Sequence, residues 1–135
     1  MPDIGSASKP ILTGATPQLF VADLRASCDF FTAKLGFAVD FLHGEPLFYG
    51  QVSRDGVQIA LRHVDRPVRD KVTIAMAADI DMLAASISVD DVAALYNEFQ
   101  SAGAAFHQAL RSEPRGARTF IVKDPDGNLL LFAGS

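Results

Sequence analysis

The chain has 135 residues, 49% of them hydrophobic and 21% charged, with a net charge of −4 and a pI near 5.2. That length suits one domain, or two very small ones, and can bury a core. The acidic balance argues against nucleic acid or anionic membrane as a main partner, because both demand a basic face. Cys28 is the single cysteine, which excludes an internal disulfide and a cysteine-based zinc cluster. The opening stretch MPDIGSASKPILTG lacks the apolar centre of a signal peptide, and no apolar run reaches the roughly 18 residues of a membrane span. The expected compartment is the cytoplasm.

Residues 1–13 are small and polar and read as a loose arm. Pro17 to Val21 alternates as a strand. Asp23 is placed to cap a helix from about Arg25 to Leu35, ended by Gly36. Its apolar face is Cys28, Phe31 and Leu35, with Phe30 beside them. Cys28 on that stripe reads as a buried apolar residue rather than a nucleophile. Phe37–Leu42, Leu47–Val52 and Val57–Arg62 read as three strands. Gly44-Glu45-Pro46 and Arg54-Asp55-Gly56 supply their turns.

The stretch from His63 to Asp81 carries no clear pattern. Leu83 to Val89 reads as the next strand. Asp90 or Asp91 caps a helix from Val92 to about Ser101, with Val92, Leu95, Tyr96 and Phe99 on its inner stripe. Ala105–Ala109, Ala117–Lys123 and Leu129–Phe132 complete the strands. The order is βαβββ, twice. Asp23 and Asp91 lie 68 positions apart, as do Phe31 and Phe99. An Asp-Gly turn follows in each half, at Asp55-Gly56 and Asp126-Gly127. Two copies of one unit predict a pseudo-symmetric α+β body with a cleft between the copies. It is expected to be a single domain over residues 1–135, with modules at about 15–63 and 82–133 joined by a segment at 64–81.

TPQLFVADLRASCDFFTAKLGF, SVDDVAALYNEFQSAGAAF and EPRGARTFIVKDPDGNLLLF carry a resemblance. Together they resemble the vicinal oxygen chelate superfamily of glyoxalase I, extradiol dioxygenases and bleomycin-resistance proteins, with the bleomycin-resistance branch the nearest match. The resemblance covers about residues 15–133, and DPDGNLL is its most specific part. It implies two βαβββ modules forming an open, incomplete barrel with a concave cleft, often completed as a homodimer. That branch usually has Trp where Arg115 stands. The chain has no Trp, so a stacking surface for a large planar drug is missing.

The superfamily's metalloenzymes hold their ion on the first and last strands of each module. Carried onto this chain, those positions are Thr16, Ala60, Ala84 and Leu131. A divalent ion needs three or four N or O donors, and three of these residues have no side-chain donor. No metal or other cofactor is expected. The histidines His43, His63 and His107 read as surface or strand-end residues, although a site built from His63 and Asp65 is conceivable.

Strand alternation then predicts the lining of the cleft. Gln18, Phe20, Tyr49, Arg62, Ser86, Ser88, Arg118 and Phe120 are the expected ligand-binding residues. Their chemistry suits a small, largely apolar or aromatic molecule with one or two polar groups, and the two arginines tolerate a carboxylate. The expected function is metal-free sequestration of a small molecule by a homodimer. The alternative is a lyase or dioxygenase-like enzyme with a displaced metal site or metal-free chemistry.

Overall fold

The computed structural model describes residues 9–66 and 81–135. Among them are eight strands and two helices, in the order expected. The first module is β1 (Gln18–Val21), α1 (Leu24–Leu35), β2 (Ala38–His43), β3 (Tyr49–Arg54) and β4 (Val57–His63). The second is β5 (Leu83–Ser88), α2 (Val92–Ser101), β6 (Phe106–Ser112), β7 (Arg118–Lys123) and β8 (Leu129–Gly134). Most of the expected connecting segment lies outside the described residues.

The two modules share one topology. The sheets run β1-β4-β3-β2 and β5-β8-β7-β6, each with its first strand parallel to its last. The helix between the first two strands makes that crossover possible. Each helix opens on the predicted aspartate: Asp23 accepts a hydrogen bond from Ala26 N–H, and Asp91 from Ala94 N–H, both at 3.0 Å. Of the two candidate caps of α2, Asp91 is the one used. Helix α1 ends at Gly36, whose φ of 72° is left-handed and costs glycine little.

Each sheet presses one face onto its helix. In the first module Leu19, Val21, Val52, Ile59 and Leu61 meet Phe31 and Leu35 of α1, and all seven are essentially inaccessible. In the second, Phe99 of α2 stacks edge-on against Phe120 and Phe132, whose rings are themselves parallel-stacked at 5.1 Å. These residues form one core cluster running through both modules. Burial of Cys28 on the α1 stripe pushes its thiol above the ordinary value, with Asp29 adding to the shift.

The modules are also tied by polar contacts. Arg54, at the end of β3, makes a two-point contact with Glu98 of α2 at 2.7 and 3.0 Å, and donates to the Leu35 carbonyl at 2.8 Å. Arg54 holds the Glu98 carboxyl below its ordinary value. A depressed carboxylate adds stability above its unfolded pKa of about 4.3, and that contribution disappears as pH falls through the folded value. The pair is partly exposed, so its net worth is about 1 kcal/mol or less. Acid titration of stability should therefore be flatter for Glu98→Gln than for the native chain, with the two curves converging once pH has fallen below the depressed Glu98 value. Denaturant melts across pH measure this.

Candidate functional site

The register of the first sheet decides which side chains share its helix-free face. Gln18 pairs with Ala60, Phe20 with Arg62, and Tyr49 with Arg62. Gln51 pairs with Ala60, and Ser53 with Gln58. Successive strand residues point to opposite faces, so these residues lie on the side away from Leu19, Ile59 and Leu61. The structure thus brings together four expected site residues: Gln18, Phe20, Tyr49 and Arg62.

The neighbours of these four were not expected. Val39 pairs with Val52 and Phe41 with Gln51, so Asp40 is an extra residue, a bulge in β2. The bulge turns the Asp40 carboxylate toward the helix-free face. There it accepts from Gln51 Nε2 at 2.8 Å and Ser53 Oγ at 2.7 Å, bonds that hold its pKa below the ordinary value. Phe41 lies against Tyr49, with ring centres 5.8 Å apart. The Arg62 guanidinium lies over the Phe48 ring at 5.6 Å, and His43 meets that ring edge-on. Phe20, Phe41 and Phe48 are 38–42% exposed. The result is an aromatic surface with a cation toward one end and an ionised carboxylate toward the other. The alternation Tyr49-Gln51-Ser53 was a usable signal for part of it. The bulge at Asp40 left no such signal.

Ser86 and Ser88 lie on the edge strand of the other sheet, exposed. They line a cavity of about 630 Å3 together with Thr16, Pro17 and Gln58. Arg118 and Phe120 require correction. Ser86 pairs with Leu131, which pairs with Ile121, so these three share the helix-free face. Phe120 pairs with Phe132 and Arg118 with Gly134, on the opposite face. Phe120 is 0% exposed, and its neighbours are Tyr96, Phe99, Phe106 and Phe132. A fully buried core ring cannot touch a ligand. Arg118, half-buried at the strand end, donates to the Ser135 carbonyl at 3.3 Å. The residues of β7 that share the parity of the helix-free face are Thr119, Ile121 and, exposed at the strand end, Lys123. Thr119 donates to Glu113, which also receives Arg111 Nε, both at 2.9 Å.

Metal binding can be tested on the same registers. Of the carried-over positions Thr16, Ala60, Ala84 and Leu131, the registers pair Ala60 with Gln18 and Leu131 with Ser86. Gln18 and Ser86, rather than Thr16 and Ala84, are therefore the first-strand residues beside them. Gln18, Ala60, Ser86 and Leu131 offer an amide, a methyl, a hydroxyl and an isobutyl group, without a carboxylate or imidazole. Among the described residues no group of three His, Cys, Asp or Glu side chains comes together. His63 and Asp65 pair with each other at 3.0 Å, as do His107 and Asp81 at 2.8 Å. The residues at the superfamily's ligand positions do not fit a divalent ion.

A family model for the Glyoxalase/Bleomycin resistance protein/Dioxygenase superfamily matches residues 13–132. The chain belongs to that superfamily. Solved structures agree on the fold. A glyoxalase-related enzyme from Clostridium phytofermentans superposes with a TM-score of 0.73 at 18% identity, over 93% of this chain and 97% of its own. The bleomycin resistance determinant encoded on transposon Tn5 gives 0.71 at 20% identity, over 92% and 98%. The bleomycin-binding protein of bleomycin-producing Streptomyces verticillus, complexed with copper(II)-bleomycin, gives 0.69 at 24% identity, over 94% and 99%. Comparison with curated protein sequences finds no match. Among the described residues no helix is long and apolar enough to cross a membrane.

Proposed function

We propose that this chain is a small-molecule binding protein of the bleomycin-resistance type. Its ligand lies on the helix-free face of the first sheet, with no metal taking part. The observation that carries this is the platform of exposed Phe20, Phe41 and Phe48 with half-buried Tyr49 between them and Arg62 over its edge. Exposed aromatic rings gathered on one sheet face mark a surface that something covers. Among the described residues no carboxylate pairs with Arg62. A compact aromatic or apolar ligand with one acidic group satisfies both features, by ring contact and a charge-assisted hydrogen bond. Asp40 at the other end disfavours a second anionic group. The bleomycin-binding relatives support ligand capture as a use of this fold, and the missing Trp argues against a large planar drug.

The working unit is a homodimer. Exposed Val39 and Phe41 on the edge strand β2 and Leu83 on the edge strand β5 give a second copy apolar surface to cover. Light scattering showing a dimer supports that arrangement, and a monomer removes it.

Calorimetry tests the binding claim, with bleomycin and a panel of aromatic carboxylic acids as probes. A bound acid should lose at least about tenfold in affinity on Arg62→Ala, which is roughly 1.4 kcal/mol. Elemental analysis of the same sample should find no stoichiometric zinc, iron, manganese or nickel. Bleomycin binding that ignores Arg62→Ala contradicts the proposed ligand class. One equivalent of bound metal would turn the reading toward a superfamily enzyme.

A further inference from the structure

The pseudo-symmetry of the chain is broken at one junction. The five-residue loop between β7 and β8, Asp124 to Asn128, reaches across to the first module. Asp126 accepts from Ala22 N–H at 2.9 Å, and Asn128 Nδ2 donates to the Phe20 carbonyl at 3.2 Å. Adding the repeat offset of 68, Ala22 corresponds to Asp90 and Phe20 to Ser88. The loop that should meet them is the β3–β4 turn. It has two residues, Asp55 and Gly56, both with positive φ, in the tight form that an Asp-Gly pair favours. It is too short to reach. Among the described residues no hydrogen bond joins this turn to Ser88 or Asp90.

The shortfall leaves a cavity of about 480 Å3 between the turn and α2. It adjoins the cavity beside Ser86, sharing Val57, Ile87 and Ser88 with it. Its floor is apolar core: Phe37, Ile87, Phe99 and Phe132. Its rim carries Asp55, Asp90, Asp91 and Glu98 against the one cation in the lining, Arg54. Four carboxylates against one guanidinium leave a formal surplus of three negative charges. Arg54 is committed to Glu98 and the Leu35 carbonyl and also lies 3.6 Å from Asp55. Asp91 caps the helix, and one oxygen of Asp90 accepts from Asp91 N–H at 2.7 Å. That leaves the second Asp90 oxygen and the outer side of Asp55 to face a ligand.

We propose that this inter-module cavity is a second binding site, separate from the sheet face, for a compact organic cation: an ammonium group on an aryl or alkyl body. The floor takes the hydrocarbon body, which gains by leaving water. The volume falls within the range of about 300–1,000 Å3 usual for small-molecule pockets. Asp55 and Asp90 take the ammonium by charge-assisted hydrogen bonds. The Ser88 carbonyl is the further acceptor, matching the Phe20 carbonyl that Asn128 occupies on the other side. A carboxylate ligand is excluded here by the surplus negative charge, so the two sites take ligands of opposite sign.

The test is an amide NMR titration with 2-phenylethylammonium, its neutral counterpart 2-phenylethanol and the anion 3-phenylpropionate. The ammonium should shift Ile87, Ala94 and Leu95, and leave Tyr49, Gln51 and Ala60 unmoved. Its affinity should exceed that of the alcohol at least about tenfold and fall by a similar factor in Asp55→Asn/Asp90→Asn. Ala94→Trp, at an exposed helix position that lines the cavity, should abolish binding, with circular dichroism confirming the fold. Equal binding of alcohol and ammonium, or unchanged binding in both variants, overturns the proposal. So does a footprint on the sheet face. Capture of an acid at Arg62 is read from different residues, and failure of ammonium binding at the cavity leaves it untouched.

Discussion

Phe120→Ala should lower the free energy of unfolding by about 4 kcal/mol, within the usual range for deleting a buried Phe ring. The ring is inaccessible, stacks flat on Phe132 and meets Phe99, Tyr96 and Phe106 edge-on or tilted. Its neighbours come from β6, β8 and α2, so the hole opens where the second module is knit together. Rigid aromatic neighbours collapse poorly into a cavity, which keeps the cost high. Urea denaturation followed by circular dichroism measures it. The position also separates two accounts of the residue. A ligand-contacting ring would lose affinity with little loss of stability on truncation. A core ring does the reverse, and Phe120 lies on the core face. A loss under about 1 kcal/mol would contradict this packing.

Asp124→Ala is the second large effect, a loss of about 2–4 kcal/mol. Asp124 is 3% exposed, and burial pushes its carboxyl above the ordinary value. Three donated hydrogen bonds oppose that shift, from Asp126 N–H at 2.9 Å, Asn128 N–H at 2.7 Å and Asn128 Nδ2 at 2.9 Å. Alanine leaves all three donors without their acceptor. The damage passes beyond the loop, because Asp126 and Asn128 are the residues that hold Ala22 and Phe20 of the first module. Asp124→Asn keeps the shape and one acceptor oxygen, and should recover part of the loss. Thermal melts of the two variants give the comparison. Equal stability of Asp124→Ala and native protein would show that the loop contributes nothing to holding the modules together.

The architecture was legible because its signals are local. Asp-capped helices, Asp-Gly turns and alternating strands depend on neighbours a few positions apart, and the repeat doubled each signal. The strands differ from expectation mainly in length. β6 extends to Ser112 instead of ending at Ala109, because pairing with β7 continues through two register shifts to Ser112 opposite Arg118. The site was legible only in part. Gln18, Phe20, Tyr49 and Arg62 share a face because β1, β3 and β4 keep a plain alternation. β7 is different: Thr119, Phe120, Ile121 and Val122 are all buried, so hydropathy does not mark which parity meets the helix. With no alternation to read, placing Arg118 and Phe120 in the cleft put β7 one residue out of phase, and a slip of one swaps faces. Asp40 was missed for a related reason, since a bulge interrupts the very periodicity that sequence reading depends on.

With these corrections the charge pattern of the candidate site changes. Two expected arginines become one. Arg62 stays on the sheet face over Phe48, while Arg118 lies at a strand end on the helix side. Asp40, fixed by Gln51 and Ser53, brings an unexpected negative end to the same surface. The expected ligand is therefore narrower than the sequence alone suggested: one acidic group beside an aromatic body.

The most direct test of that claim is an amide NMR titration with whichever aromatic acid binds in calorimetry. Saturable shifts should gather at Gln18, Phe20, Tyr49, Gln51, Ala60 and Arg62, and should vanish in Arg62→Ala without added metal restoring them. Shifts confined to other surfaces, or binding that appears only when a divalent metal is supplied, would contradict metal-free capture on the first sheet.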